Sequence, residues 1–101
     1  MEKLVFVYGS LTDPSLRSVV LGRDIETKRD VLKGYEKTLH TYFQVYPTIK
    51  ENLNESVFGE TFMVTEEELK RLDRYETDQY NQIKVKLSSG NEALTYIEAK
   101  H

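Results

Sequence analysis

The chain has 101 residues, a formal net charge of −3, seven tyrosines, four phenylalanines, and neither tryptophan nor cysteine. That length fits a single domain over residues 1–101 with one core and one pocket, because a chain of this size buries roughly two-thirds of its unfolded surface. The lack of cysteine excludes disulfide and thiolate chemistry. Scattered basic residues argue against a nucleic-acid partner, and no apolar run approaches the ~20 residues of a membrane span.

The first element is Leu4-Val5-Phe6-Val7, an unbroken and partly β-branched apolar run. Such a run suits a strand buried on both faces. Gly9 interrupts it, and Ser10 and Leu11 follow. A glycine accepts backbone angles that other residues avoid, so the spacing predicts a sharp turn with uncovered N–H groups. Asp13 and Pro14 then read as the N-cap and first position of a helix. A strand running into a glycine turn and a helix start is a candidate cradle for an anionic group, although many central strands end in the same way for structural reasons alone.

Pro14 to Leu21 is expected to be a short helix with Leu16, Val19 and Val20 at helical spacing, closed by Gly22. Ile25 to Val31 is mostly polar and reads as an exposed edge strand or extended segment, and Gly34 marks a bulge or bend. Tyr35 to Val45 contains a strand that includes His40, which is read as a half-buried strand histidine. Tyr46-Pro47 is expected to end that strand. Lys50 to Glu55 is polar and reads as a loop or hairpin connection. Ser56 to Val64 alternates as a strand, with Phe58, Phe62 and Val64 on the core face and Gly59 on the other.

Thr65 begins the clearest helix. Thr65 and Glu68 have capping-box spacing, Val64 and Leu69 can form a hydrophobic staple, and Glu66, Glu67 and Glu68 complement the positive end of the dipole. This helix should run to Tyr75 or Glu76. Tyr80 to Leu87 alternates Ile83, Val85 and Leu87 against polar residues. Ser88-Ser89-Gly90-Asn91 is a turn, and Ala93 to Ala99 returns as a paired strand. Lys100-His101 reads as a frayed end.

One position departs from this pattern. Leu69 and Leu72 set the buried stripe of the second helix, and residue 76, seven beyond the first and four beyond the second, falls on the same face yet is a glutamate. Either the helix ends there and Glu76 points to water, or its carboxylate faces a sheltered pocket where desolvation makes it a better base near neutrality. Asp73 lies one residue past the stripe and is read as a surface residue able to cap or to pair with Arg71 or Arg74. Other catalytic templates fail. Ser10 with His40 or His101 has no triad context, two histidines make a poor metal set, and no phosphate-binding glycine motif is present. Any chemistry is therefore expected to be proton transfer by one carboxylate beside a glycine turn.

These residues resemble the gamma-glutamylcyclotransferase-like family. Tyr8-Gly9-Ser10-Leu11 is similar to its Tyr-Gly-Ser/Thr-Leu loop, and Thr12-Asp13-Pro14 to its avirulence-induced-gene-like branch, which includes gamma-glutamylamine cyclotransferases. Tyr46-Pro47 and Gly59-Glu60 occur in the family's order. Leu72-Asp73-Arg74-Tyr75-Glu76 resembles its Leu-Asp-x-Phe/Tyr-Glu motif, whose last residue is the catalytic glutamate. Tyr80 and Ala93 to Tyr96 fit the closing strands. The resemblance implies an α+β fold, a small mixed β-barrel with flanking helices, and a pocket between Tyr8, Gly9, Ser10, Leu11 and Glu76, with Tyr80 on the substrate side.

The implied reaction needs no cofactor and no metal. Glu76 takes a proton from the α-amino group of a γ-glutamyl amine or amide, the amine attacks the γ-carbonyl, and 5-oxoproline and an amine are released. The expected partner is that small substrate, with neither nucleic acid nor membrane, in a cytoplasmic monomer or weak homodimer. The family usually has Tyr-x-Arg where this chain has Tyr80-Asn81-Gln82, a departure that motivates an alternative: a non-catalytic, small-metabolite-binding or regulatory module using the same pocket.

Overall fold

A computed structural model describes residues 2–99. Five strands form one mixed sheet in the order β2-β3-β1-β5-β4. Strand β1 (Lys3–Val7) leads through a single 3₁₀ turn (Ser10–Thr12) into helix α1 (Pro14–Leu21). Strands β2 (Lys28–Leu39) and β3 (Pro47–Val64) form a long hairpin, followed by helix α2 (Glu66–Glu76), a second 3₁₀ turn (Thr77–Gln79), and the hairpin β4 (Tyr80–Lys86) and β5 (Glu92–Glu98). β1 pairs antiparallel with β3 and parallel with β5.

The sheet curls into a half-barrel because its two edges meet. The Ser88 N–H donates to the Val31 carbonyl at 2.8 Å, and the Ser89 hydroxyl donates to the Asp30 carboxylate at 2.6 Å. β1 is buried on both faces, as its continuous apolar run predicts. Val5 and Val7 face the helices and pack with Leu21, Phe62, Val64, Leu69 and Leu72. Phe6 and Tyr8 face into the curl, among Leu32, Ile49, Val57 and Val85. Gly59 lies where a Cβ would collide with the Val7 carbonyl and come within 2.7 Å of the Phe6 ring, so the curl requires a glycine there.

The caps follow the sequence. The Asp13 carboxylate accepts the Ser15 N–H, Gly22 ends α1 with φ +80°, and Thr65 and Glu68 form a complete capping box. Gly34 (φ +87°) sits at the register shift between Lys33 and Tyr35, the expected bulge. Among the described residues no helix is long and apolar enough to cross a membrane, and no cluster of three or more His, Cys, Asp or Glu could hold a metal. Lys100 and His101, read as a frayed end, lie outside the described residues.

Several expectations are corrected. In α1 the buried side chains are Arg17 and Leu21, while Val19 is 80% exposed: only part of this short helix contacts the core. Tyr46-Pro47 does not end a strand. β2 ends at Leu39, and Pro47 opens β3. Lys50 to Glu55 lies within a strand rather than a loop: Lys50 and Glu51 pair with Glu36 and Tyr35, and residues 52–55 bulge opposite Gly34 with their side chains mostly in water before pairing resumes at Ser56. Phe58 is exposed and Val57 is buried instead. The curl moves Phe58 out from under the helices that cover Phe62 and Val64, and turns Val57 into the interior.

Candidate active site

A cavity of about 320 Å³ opens beyond the C-terminal end of β1. The loop Tyr8–Leu11 forms one wall, and Glu76, Thr77 and Tyr80 form another. All six residues singled out from the sequence (Tyr8, Gly9, Ser10, Leu11, Glu76 and Tyr80) therefore line one space. Among the described residues no lysine, arginine or histidine lines it.

The loop owes its shape to neighbours as much as to its own residues. Gly9 has φ −123° and ψ −131°, outside the left-handed region. Its glycine is required by space rather than by a left-handed turn, since a Cβ there would come within 2.6 Å of Pro47 Cγ. The Gly9 carbonyl accepts the Thr12 N–H at 3.0 Å and the Thr12 hydroxyl at 2.6 Å, and the Ser10 carbonyl accepts the Asp13 N–H at 3.0 Å. In a trans peptide the N–H lies opposite the carbonyl, so the Ser10 and Leu11 N–H groups point away from these bonds and have no partner within the turn. Buried Arg17, which the sequence reading missed, donates to the Leu11 carbonyl at 3.1 Å and lies 5.8 Å from the centre of the Phe62 ring. Its polar atoms are thereby used to hold the loop down.

Glu76 is the last residue of α2 and faces the cavity. Thr77 explains why the helix stops there. It has φ +61°, a conformation that a β-branched residue adopts only under constraint. The Thr77 N–H still caps the Asp73 carbonyl, and the chain then turns away into β4, leaving Glu76 at the rim of the core. Desolvation alone pushes its carboxyl up from 4.5 to about 7. No cation or hydrogen-bond donor among the described residues counters that effect, so the group is poised to exchange a proton near neutrality.

Tyrosines surround this carboxyl. Tyr8 donates to the Tyr96 carbonyl at 2.5 Å, and burial holds its phenol well above the usual range despite a hydrogen bond with Thr48. Tyr80 donates to the Pro47 carbonyl at 2.8 Å and is pushed up to about 12, first by burial and then by the Glu76 charge. Both stay neutral donors at any physiological pH. Ser10 Oγ and the Tyr75 hydroxyl lie 2.8 Å apart, tying the loop to α2 one residue before Glu76.

Two side chains have roles different from those read in the sequence. Asp73 does not pair with Arg71 or Arg74. Its Oδ1 accepts the Tyr96 hydroxyl at 2.5 Å and the Gln82 amide at 2.9 Å, while Arg71 donates to the Leu21 carbonyl at the end of α1. Gln82, where the resemblance leads one to expect arginine, thus sits beside the cavity wall rather than in it. His40 is fully buried and lies just past β2, not within it. Its Nδ1 accepts the Tyr42 and Phe43 N–H groups at 3.1 and 3.2 Å, so Nε2 carries the proton and faces the Gln79 carbonyl at 3.3 Å. The imidazole therefore joins the 40–46 loop to the turn that follows Glu76. Periodicity carries no trace of this, because one contact is with backbone N–H groups of the following loop and the other with a turn distant in sequence.

A curled mixed sheet with one desolvated helix-end carboxyl facing a strand-end loop is the frame on which likeness to known proteins can be weighed. The chain belongs to the family described as gamma-glutamyl cyclotransferase, AIG2-like, whose model matches residues 5–101. It is 35% identical over 82 residues to AIG2-like protein A of Arabidopsis thaliana, covering 80% of this chain and 49% of that protein. It is 34% identical over 99 residues to AIG2-like protein C of the same plant, covering 92% and 57%. The chain thus spans about half the length of these relatives.

Among solved structures, a solution structure from Arabidopsis thaliana superposes with a TM-score of 0.84 at 30% identity, over 98% of this chain and 70% of that one. A structure titled gamma-glutamyl cyclotransferase also gives 0.84, over 99% and 68%, at 18% identity, a likeness of fold.

Proposed function

We propose that the protein is a cyclotransferase acting on a γ-glutamyl amine or amide, with Glu76 as the proton carrier. The observation that carries this reading is the desolvated Glu76 carboxyl, held at about 7 across a cavity from the Tyr8–Leu11 loop. A carboxylate so placed can take a proton from the substrate α-ammonium group. The freed amine attacks the γ-carbonyl carbon, a carbon–nitrogen bond closes the ring, and the exocyclic carbon–nitrogen bond breaks. Of the three α-ammonium protons one stays on the ring nitrogen. The other two leave with the departing amine as its ammonium, delivered through Glu76. No water, metal or redox partner enters this balance.

The partnerless N–H groups of Ser10 and Leu11 suit the oxyanion that develops on the γ-carbonyl, as fixed donors do. The neutral phenols of Tyr8 and Tyr80 bound the site without competing for the proton. Because the reaction is intramolecular, holding the chain folded back on itself supplies much of the rate.

The test is release of 5-oxoproline from a panel of γ-glutamyl compounds by the wild type and by Glu76→Gln. Loss of turnover by 10²-fold or more in a folded variant is expected; equal turnover removes Glu76 from the mechanism. Thermal stabilisation by these compounds without product from the wild type would favour the binding-module reading instead.

A further inference from the structure

One wall of the cavity is aromatic. Phe43 and Tyr46 come from the 40–46 loop, Tyr75 from the end of α2, and Tyr80 from the start of β4. Phe43 is 46% and Tyr46 55% exposed, and their rings meet edge to face with centres 6.5 Å apart. Half-exposed rings usually sit on loose loops, but this loop is fastened. His40 Nδ1 accepts two of its N–H groups, the His40 N–H donates to the Tyr46 carbonyl at 2.8 Å, and the Tyr46 N–H donates to the Phe43 carbonyl at 2.8 Å. The Thr41 N–H donates to the Glu98 carboxylate at 2.7 Å. The rings are thus held in the cavity wall in advance, so a flat group docking against them would not have to order the loop.

We propose that this wall is the leaving-amine subsite, and that it selects amines bearing an aromatic or similarly flat apolar group. The proposal rests on the cyclotransferase reading for the word "leaving" but on the rings themselves for the selectivity. With a γ-glutamyl head held between Tyr8–Leu11 and Glu76, Phe43 and Tyr46, which line the same cavity, are the half-exposed apolar surface open to its amine substituent. An amine carrying a carboxylate would find no cation among the described lining residues to pair with. One carrying a second ammonium would hold the adjacent Glu76 ionised and hinder the proton's return to the departing nitrogen. A flat apolar group avoids both penalties and covers exposed ring surface.

The experiment has two readouts. Equilibrium binding to Glu76→Gln, which leaves the ligand intact, compares the γ-glutamyl amides of ethylamine, phenethylamine and 1,2-diaminoethane. The phenethyl amide should bind roughly tenfold tighter than the ethyl amide. Phe43→Ala on the same background should erase that preference. Phe43→Leu, which keeps apolar bulk, should retain part of it and show that the loop still folds. Turnover by the wild type should follow the same order in kcat/KM. Equal binding of the ethyl and phenethyl amides, or tightest binding of the diaminoethane amide, overturns the proposal. A binding preference that persists where no 5-oxoproline forms supports the aromatic subsite while refuting the chemistry, so the two failures are distinguishable.

Discussion

Replacing Glu76 by Gln tests the burial of this carboxyl through stability alone, independently of any substrate. In the folded protein the group titrates at about 7 rather than 4.5, because it is desolvated. The folded state therefore holds its proton more tightly than the unfolded chain between these values. Where the native state binds more protons, stability falls as pH rises, so the wild type loses stability from about pH 4.5 and levels off above about pH 7. With those two values the penalty is about 0.8 kcal/mol at pH 5 and about 3.3 kcal/mol at pH 8, a difference of about 2.5 kcal/mol. The amide mimics the protonated acid and carries no such penalty. All other ionisations are common to both proteins and cancel in the comparison.

Urea unfolding of both proteins at pH 5, 6, 7 and 8 should show the Gln variant gaining on the wild type by about 2.5 kcal/mol across the series, or about 10 °C or more in melting temperature. A difference that stays within about 0.5 kcal/mol from pH 5 to pH 8 would mean a solvated carboxyl, and the reasoning about the site would fail with it.

Further outcomes follow from the same geometry. Gly9→Ala should displace the Tyr8–Leu11 loop from Pro47, costing about 1–3 kcal/mol by chemical denaturation and lowering turnover more than stability alone explains. Thr77→Gly should relieve the left-handed backbone and raise stability by about 1 kcal/mol or less, since glycine's gain of unfolded-state freedom opposes the gain; a marked loss would refute the strain at that residue. His40→Ala should leave the Tyr42 and Phe43 N–H groups without their acceptor and open a core cavity. A loss of about 2–4 kcal/mol is expected, with faster hydrogen exchange at residues 41–43. Glu68 is held down to about 2, chiefly by the Arg23 guanidinium, so its contribution is present above the ordinary 4.5 and is lost as pH falls towards 2. Glu68→Gln should therefore cost about 1 kcal/mol at pH 7 and much less near pH 2, read from acid unfolding curves.

Local signals carried the elements whose cause is local. The Asp13-Pro14 start and Gly22 stop of α1, the Thr65–Glu68 box, the Gly34 bulge and the 88–91 turn all formed as read, because each depends on groups within a few residues. The unbroken run Leu4–Val7 announced a strand covered on both sides, and Glu76 on an apolar stripe marked a carboxyl out of place. Local pattern failed where the partner is distant. Lys50 to Glu55 has no buried apolar face, yet it lies within a strand because the chain pairs with β2 at Lys50–Glu51 and again from Ser56; Phe58 keeps perfect alternation, yet the curl leaves it in water.

Amino-acid order alone thus determined the first strand, the two helices with their caps, the C-terminal hairpin, and the one acidic residue that broke its pattern. Tertiary structure decided which of two fates that acid met. The left-handed Thr77 halts α2 so that Glu76 enters the cavity rather than bulk water, and Pro47, distant in sequence at the first position of β3, sets the space that only a glycine at position 9 can occupy. It also drew Asp73 to Tyr96 and His40 to Gln79. Desolvation and close approach are properties of the folded surroundings, summed over chain segments that no local window contains.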